Sequence, residues 1–287
     1  VGQEALTQLF FGVGSGRVAS MSLANALNTE PDCLCLHEGK VRDHEESGEQ
    51  FLPFLTLQNR RAYEYPEEAG DIFRQTRLRM ADLADQKNLK FLGDVAYNYA
   101  PFVGAISATF PDSKLIFQFR DCLGFLSSCT ATVGTDETPV GWPPPDKPLS
   151  KVESFISMGR WQPRQLSPER VDWESWSYVS KNIWLWAETN RVLLDSLASV
   201  PTTLIYYAKF EAFRTDPLGE YALIRRFLNL PGTISDEGSR RLTARPINYR
   251  KNANRQISYH QLTEAEKRVW ATFAAPVRTR LGYDGMM

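Results

Sequence analysis

The strongest constraint on the fold is an apolar run that passes directly into a glycine-rich turn and then a helix: LFFGVGSGRVASMSLANAL, residues 9–27. Leu9–Val13 has the near-continuous hydrophobicity of a strand buried on both faces. After the turn, Met21, Ala24 and Leu27 recur at helical spacing. A strand, glycine turn and helix in this order present backbone N–H groups to an anion, and the helix N-terminus adds about half a positive charge. Arg17 supplies a cation in the turn, and Ser20 and Ser22 supply hydroxyl donors. Gly14-Ser15-Gly16-Arg17-Val18-Ala19 also fits the dinucleotide fingerprint G-x-G-x-x-A, and Glu38 lies about where that fingerprint expects its acidic partner. The Gly-Lys-Ser/Thr ending of a nucleotide kinase loop is missing. By itself the turn leaves three readings open: a dinucleotide site, another anion cradle, or a plain strand–helix connection.

The rest of the chain repeats the alternation. Strand candidates are Leu9–Val13, Cys33–His37, Phe91–Gly93, Leu115–Phe119 and Thr203–Tyr207, separated by helical stretches. That order predicts an α/β fold, with three α/β/α layers around a central, mainly parallel sheet. Trp173–Leu197 carries a long apolar stripe. Asp216-Pro217 opens a helix that ends near Leu230-Pro231. Thr263-Glu264-Ala265-Glu266 is a capping box whose helix stops at Gly282. Thr138–Pro148 holds five prolines and excludes regular structure. It marks 133–165 as an insertion or flap within one domain spanning 1–287, with Trp142 and Trp161 either pinning it to the core or lining a pocket.

Several functions are disfavoured by composition. With 33 Lys and Arg against 34 Asp and Glu, no general nucleic-acid or anionic-membrane surface is expected, so an anion site must be a local group of cations. No apolar run is long enough to span a membrane, and no signal peptide is visible. A cytoplasmic chain is expected, although Val1 in place of Met leaves open a domain excised from a larger protein. Cys33, Cys35, Cys122 and Cys129 lack C-x-x-C spacing, and three histidines are few for a metal site, so buried free thiols and no metal are expected.

Residues 110–128, FPDSKLIFQFRDCLGFLSS, narrow the choice. A strand ends in Arg120-Asp121, and Ser128 lies about two turns into a helix that starts after it. Here the chain resembles the PAPS-dependent sulfotransferases, enzymes that use 3′-phosphoadenosine-5′-phosphosulfate. The family's Gly-Arg-Ser-Gly-Thr-Thr/Ser loop matches Gly16-Arg17-Val18-Ala19-Ser20-Met21. Its Arg-Asp-Pro-x-Asp-x-x-x-Ser signature matches Arg120 to Ser128. Residues 202–231 are similar to its strand, Asp-Pro-capped helix and Phe-Leu-Gly-Leu-Pro ending. NYRKNANR, residues 248–255, is similar to its Arg-Lys-Gly loop. The matches run from residue 9 to 283. Departures are Val18, Ala19 and Met21 in the first loop, Ala208-Lys209 in place of Glu-Asp, and Asn252 in place of glycine.

The resemblance implies a P-loop NTPase-like sulfotransferase fold and two anion sites. Gly16, Arg17, Val18, Ala19, Ser20 and Met21 would cradle the 5′-phosphosulfate, with Arg17 on the departing phosphate oxygen. Arg120 and Ser128 would hold the 3′-phosphate, with Arg250 and Lys251 closing over it. The general base would be Glu38, in register with the tyrosylprotein branch, or His37, since the cytosolic branch uses histidine. Asp94 resembles an acceptor-side turn. The expected product is adenosine 3′,5′-bisphosphate, and the acceptor a small molecule, lipid or carbohydrate. Two alternatives stay open: a non-catalytic nucleotide-binding protein of the same fold, and a dinucleotide-binding oxidoreductase.

Overall fold

Parallel strands form the centre of the molecule, in the order β2-β3-β1-β4-β5. They are β1 (Gln8–Gly14), β2 (Cys33–His37), β3 (Phe91–Val95), β4 (Lys114–Phe119) and β5 (Ile205–Lys209). The computed structural model describes residues 7–41, 49–130, 141–145, 151, 158–244 and 256–283. The register pairs Gly12 with Val95, Gly14 with Gln118, His37 with Val95 and Phe119 with Lys209. All five carboxyl ends therefore lie along one edge, and the segments leaving them gather there. In open parallel sheets this is the edge where ligands bind.

Helices cover both faces, giving the three α/β/α layers. In chain order they are α1 (Ser20–Leu27), α2 (Thr56–Glu64), α3 (Ala69–Arg77), α4 (Met80–Gln86), α5 (Val103–Thr109), α6 (Cys122–Thr130) and α7 (Tyr178–Leu197). Then come α8 (Phe210–Thr215), α9 (Pro217–Leu228), α10 (Asp236–Thr243), α11 (Glu264–Val269) and α12 (Ala275–Arg280). Alternation along the strands divides the core in two. Phe11, Val13, Leu115 and Phe117 pack with Phe73, Phe125, Trp186 and Trp270 on one side. Phe10, Cys35 and Ile116 pack with Leu23, Leu27, Tyr221 and Ile224 on the other. All four cysteines are buried free thiols.

The expected helix signals act locally as capping chemistry requires. Asp216 accepts from the Gly219 N–H at 2.9 Å, opening α9, which closes at Asn229 in the left-handed region. Thr263 forms a reciprocal capping box with Glu266. From there the path to Gly282 is interrupted: Trp270–Ala274 is a π turn. Pro276 follows it and has no N–H to give an α-helical bond. The long stripe also divides, with Ser177 capping α7 after a 3₁₀ turn at Trp173–Ser175.

Two expectations need correction. Strand β5 begins two residues later than expected, because Pro201 leads into a 3₁₀ turn at Thr202–Leu204. It is an edge strand whose Tyr207 is half exposed, so it is not covered on both faces. The second correction concerns the dinucleotide reading. That fold pairs its second strand with its first, whereas here β3 lies between β1 and β2. Glu38, at the end of β2, is thus two strand spacings, about 10 Å, from the strand that carries the glycine turn. Trp161 is buried and stacks on Tyr63 at 4.1 Å, and its carbonyl accepts from Trp142 Nε1, so both tryptophans pin the chain rather than line an open pocket.

Candidate active site

The glycine turn places three left-handed residues within four positions. Gly16, Arg17 and Ala19 have φ of 83°, 59° and 66°. Ala19 is the N-cap of α1 and offers no side-chain cap. The first intrahelical bond runs from the Leu23 N–H to the Ala19 carbonyl, at 3.0 Å. Earlier amides therefore have no partner inside the helix, as at any helix start. Val18, expected among the cradle residues, is buried, and its carbonyl accepts from Gln118 Nε2 at 3.1 Å. Its side chain packs inward, so its part in a cradle is confined to the backbone.

Two elements far apart in sequence meet this turn. Ser128, on α6, accepts from Arg17 Nε at 2.7 Å. Arg120, at the end of β4, donates from Nη1 to the Arg17 carbonyl at 2.7 Å. Its guanidinium lies over the Phe210 ring at 4.2 Å, and its own carbonyl accepts from Trp186 Nε1. A Cβ at Gly124 would press on that guanidinium, so glycine there makes room for the arginine. Among the described residues Arg120 Nε is buried without a hydrogen-bond partner. A buried unpaired N–H is costly, on the order of 1–3 kcal/mol, and a bound anion would relieve the cost. Burial pushes the Arg120 guanidinium down to about 10; the Glu211 carboxylate opposes that shift and the Arg17 charge adds to it.

The strand end is braced from behind. Asp121 takes Arg278 Nε at 2.6 Å, and its N–H donates to Glu211, whose other oxygen accepts from Tyr283 at 2.7 Å. A further cation reaches the site unannounced by the sequence. Burial raises the Cys129 thiol, while the charges of Arg17, Arg120 and Arg160 oppose that rise. The buried Arg160 thus lies, like the other two guanidiniums, within electrostatic reach of Cys129 on the last turn of α6. It follows the proline-rich stretch in a segment without periodicity, and no sequence signal distinguishes it from any other arginine.

Across the edge, β2 delivers the two base candidates. His37 is buried, and its Nε2 shares a hydrogen bond of 3.0 Å with Ser20 Oγ. The end of β2 and the start of α1 are therefore in direct contact. Glu38 and Gly39 form a left-handed pair, with φ of 58° and 78°. For a non-glycine residue such as Glu38 that conformation costs about 1–3 kcal/mol. Glu38 lies within electrostatic reach of Tyr97: burial first, then the Glu38 charge, raises the phenol above its ordinary range, and Arg160 opposes. Glu38 and Arg160 are therefore both within electrostatic reach of the Tyr97 phenol.

Asp94, expected on the acceptor side, faces inward. It is fully buried; Oδ1 accepts from the Gly39 N–H at 3.0 Å and Oδ2 from the Tyr99 hydroxyl at 2.6 Å. Met21, in the first turn of α1, is half-buried. Arg250 and Lys251 lie outside the described residues. Among the described residues no group of three or more His, Cys, Asp or Glu could hold a metal, and no helix is long and apolar enough to cross a membrane.

No family model and no curated protein sequence matches the chain. Solved structures to which it is similar include a sulfotransferase from Alicyclobacillus acidocaldarius, 16% identical, covering 99% of this chain and 96% of that one, with a TM-score of 0.48. The sulfotransferase domain of the Synechococcus PCC 7002 olefin synthase is 13% identical, covering 95% and 97%, with a TM-score of 0.49. Mouse sulfotransferase SULT7A1 complexed with PAP is 10% identical, covering 96% and 89%, with a TM-score of 0.41.

Proposed function

We propose that the chain transfers a sulfuryl group from PAPS to a hydroxyl or amine acceptor by in-line displacement. The observation that carries this reading is the meeting of Arg17, Arg120 and Ser128, with the Arg120 Nε buried and unpartnered among the described residues. Three groups that the sequence pattern assigns to the two anionic ends of one nucleotide lie in hydrogen-bond contact. The chain has almost no net charge to attract anions in general, so these guanidiniums are a local device.

Each residue then has a definite task. Arg120 and Ser128 bind the 3′-phosphate, and a guanidinium suits the planar, bidentate recognition of phosphate oxygens. The amides that open α1, with Ser20, bind the 5′ side. Arg17 stabilises the negative charge that grows on the departing phosphate oxygen as its bond to sulfur breaks. The acceptor oxygen or nitrogen forms the new bond to sulfur, and its proton passes to the Glu38 carboxylate. The bridging electron pair leaves with adenosine 3′,5′-bisphosphate, so charge and atoms balance. His37, already bonded to Ser20, ties the base strand to the anion turn. The sequence resemblance assigns Arg250 and Lys251 to the same 3′-phosphate.

A thermal shift titration tests the reading. Adenosine 3′,5′-bisphosphate is expected to raise the melting temperature far more than NAD or ATP, and Arg120→Ala to abolish the difference. At a hundred times Kd the ligand adds about 2.7 kcal/mol of stability. No shift at millimolar bisphosphate would refute the site. Labelled PAPS with a panel of hydroxyl and amine acceptors then separates an enzyme from a nucleotide-binding protein without turnover.

A further inference from the structure

We propose that Asp94 is the positioning residue for the base, acting through the Gly39 amide, with Tyr99 and Arg77 holding Asp94 in turn. The inference rests on Glu38 being the base in the proposed reaction.

The turn that presents Glu38 is one the backbone does not choose unaided. Two consecutive residues are left-handed, and the first carries a side chain. Such a conformation persists only where its surroundings hold it. Here they hold both polar groups of Gly39. Its N–H donates to Asp94 Oδ1 at 3.0 Å, and its carbonyl accepts from the Phe51 and Leu52 amides at 2.9 and 3.0 Å. A Cβ at Gly39 would strike the Leu52 carbonyl, so only glycine fits under this clamp. Just ahead, the Glu38 N–H donates to the Val95 carbonyl at 3.3 Å.

Asp94 is in turn fixed from below. Tyr99 donates its hydroxyl proton to Asp94 Oδ2 at 2.6 Å, and Arg77 Nε donates to the Tyr99 oxygen at 2.5 Å. Arg77 Nη2 stands 3.4 Å from the same carboxylate oxygen, with both side chains fully buried. Arg77 Nη1 donates to the Pro53 carbonyl at 2.9 Å. Pro53 immediately follows the segment whose amides bond Gly39. The hydrogen bonds therefore close a ring: Gly39, Asp94, Tyr99, Arg77, the 51–53 segment and Gly39 again. A buried side chain of this kind is more than a packing element, because its two oxygens face one guanidinium, one phenol and one turn amide. Burial first keeps Tyr99 a phenol, well above its ordinary range, so its proton stays available to Asp94. A ring of this kind fixes the backbone turn that carries Glu38.

The test uses the whole chain and two variants, Tyr99→Phe and Asp94→Asn; the phenylalanine variant keeps the carboxylate and so guards against a failure to fold. Labelling glutamate carbonyls with ¹³C and glycine amides with ¹⁵N yields two correlations, because Glu-Gly occurs only at Glu38-Gly39 and Glu237-Gly238. In both variants the Gly39 amide signal is expected to move and its hydrogen exchange to quicken about tenfold, while Gly238 stays put. In the transfer assay, kcat is expected to fall up to about 10²-fold, the penalty of a misplaced catalytic group, with the KM for PAPS unchanged. A Gly39 signal unmoved in both variants overturns the proposal, as does a moved signal with unchanged kcat. If the wild-type chain transfers no sulfuryl group, the reaction reading fails separately, and the Gly39 signal still decides whether Asp94 holds the turn.

Discussion

Ala19→Gly offers a test of the glycine turn's conformation that needs no ligand. Ala19 sits at φ 66° and ψ 26°, in the left-handed region, as the N-cap of α1. For an L-residue with a Cβ that region costs about 1–2 kcal/mol, which glycine escapes. Glycine in turn has more unfolded-state freedom to lose, about 0.4–1 kcal/mol. The difference leaves Ala19→Gly stabilising by about 0.5–1 kcal/mol. For a chain of 287 residues the unfolding entropy is on the order of 0.6 kcal/mol per kelvin, so the melting temperature should rise by about 1–2 °C. The control is the same chemical change at Ala222, exposed in the interior of α9. There the helix loses about 1 kcal/mol and the sign reverses. Urea titrations of the three chains, fitted with a common slope, measure both values. If Ala19→Gly destabilises as much as Ala222→Gly, the left-handed turn is not the solution conformation, and the array of amides built on it falls with it.

Two other perturbations probe the frame that carries the site. Glu30 accepts from Arg225 at 2.7 and 3.0 Å and from the Tyr221 hydroxyl at 2.8 Å, all buried; Glu30→Ala should cost about 3–5 kcal/mol in urea unfolding by stranding the guanidinium, and a loss under 1 kcal/mol would show that the pair is solvated. Burial and then the Glu30 charge push the Cys33 thiol up to about 12 from 9.0, so the folded state keeps a proton that the unfolded state releases. Its contribution is complete below pH 9 and is lost as pH rises toward 12, by at most about 1.4 kcal/mol per pH unit. The alkaline decline of stability should therefore be shallower in Cys33→Ala, and an unchanged slope between pH 9 and 11 would contradict the assignment.

Features that depend on a few neighbouring residues are legible in the order of amino acids. The apolar runs form strands, with β2 at its expected bounds and β1, β3 and β4 differing only at their ends. Asp216 and Thr263 open helices by side-chain chemistry that acts within one turn. Arg17, Arg120 and Ser128 stand out because a motif keeps residue types at fixed local spacing. Even so, the contact between Arg17 and Ser128 joins positions 111 residues apart, and no local rule supplies that distance.

Other properties belong to the packed molecule. Strand order is one: the placing of β3 between β1 and β2 depends on how helices cover the sheet, a non-local balance that leaves no mark on any single strand. The direction of Asp94 is another. A carboxylate after a strand could face solvent, a ligand or the core, and its partners Gly39 and Tyr99 come from two different segments. Arg160 is the third, a buried arginine without local pattern that folding brings within electrostatic reach of the same thiol, Cys129, as Arg17 and Arg120. The strands, the caps and the glycine turn are thus written into the chain's local order, because propensity and apolar periodicity act over a few residues. Which charges share the glycine turn, and what holds the left-handed pair at Glu38-Gly39, follow from packing alone, because a buried charge takes its place from whichever distant groups can satisfy it.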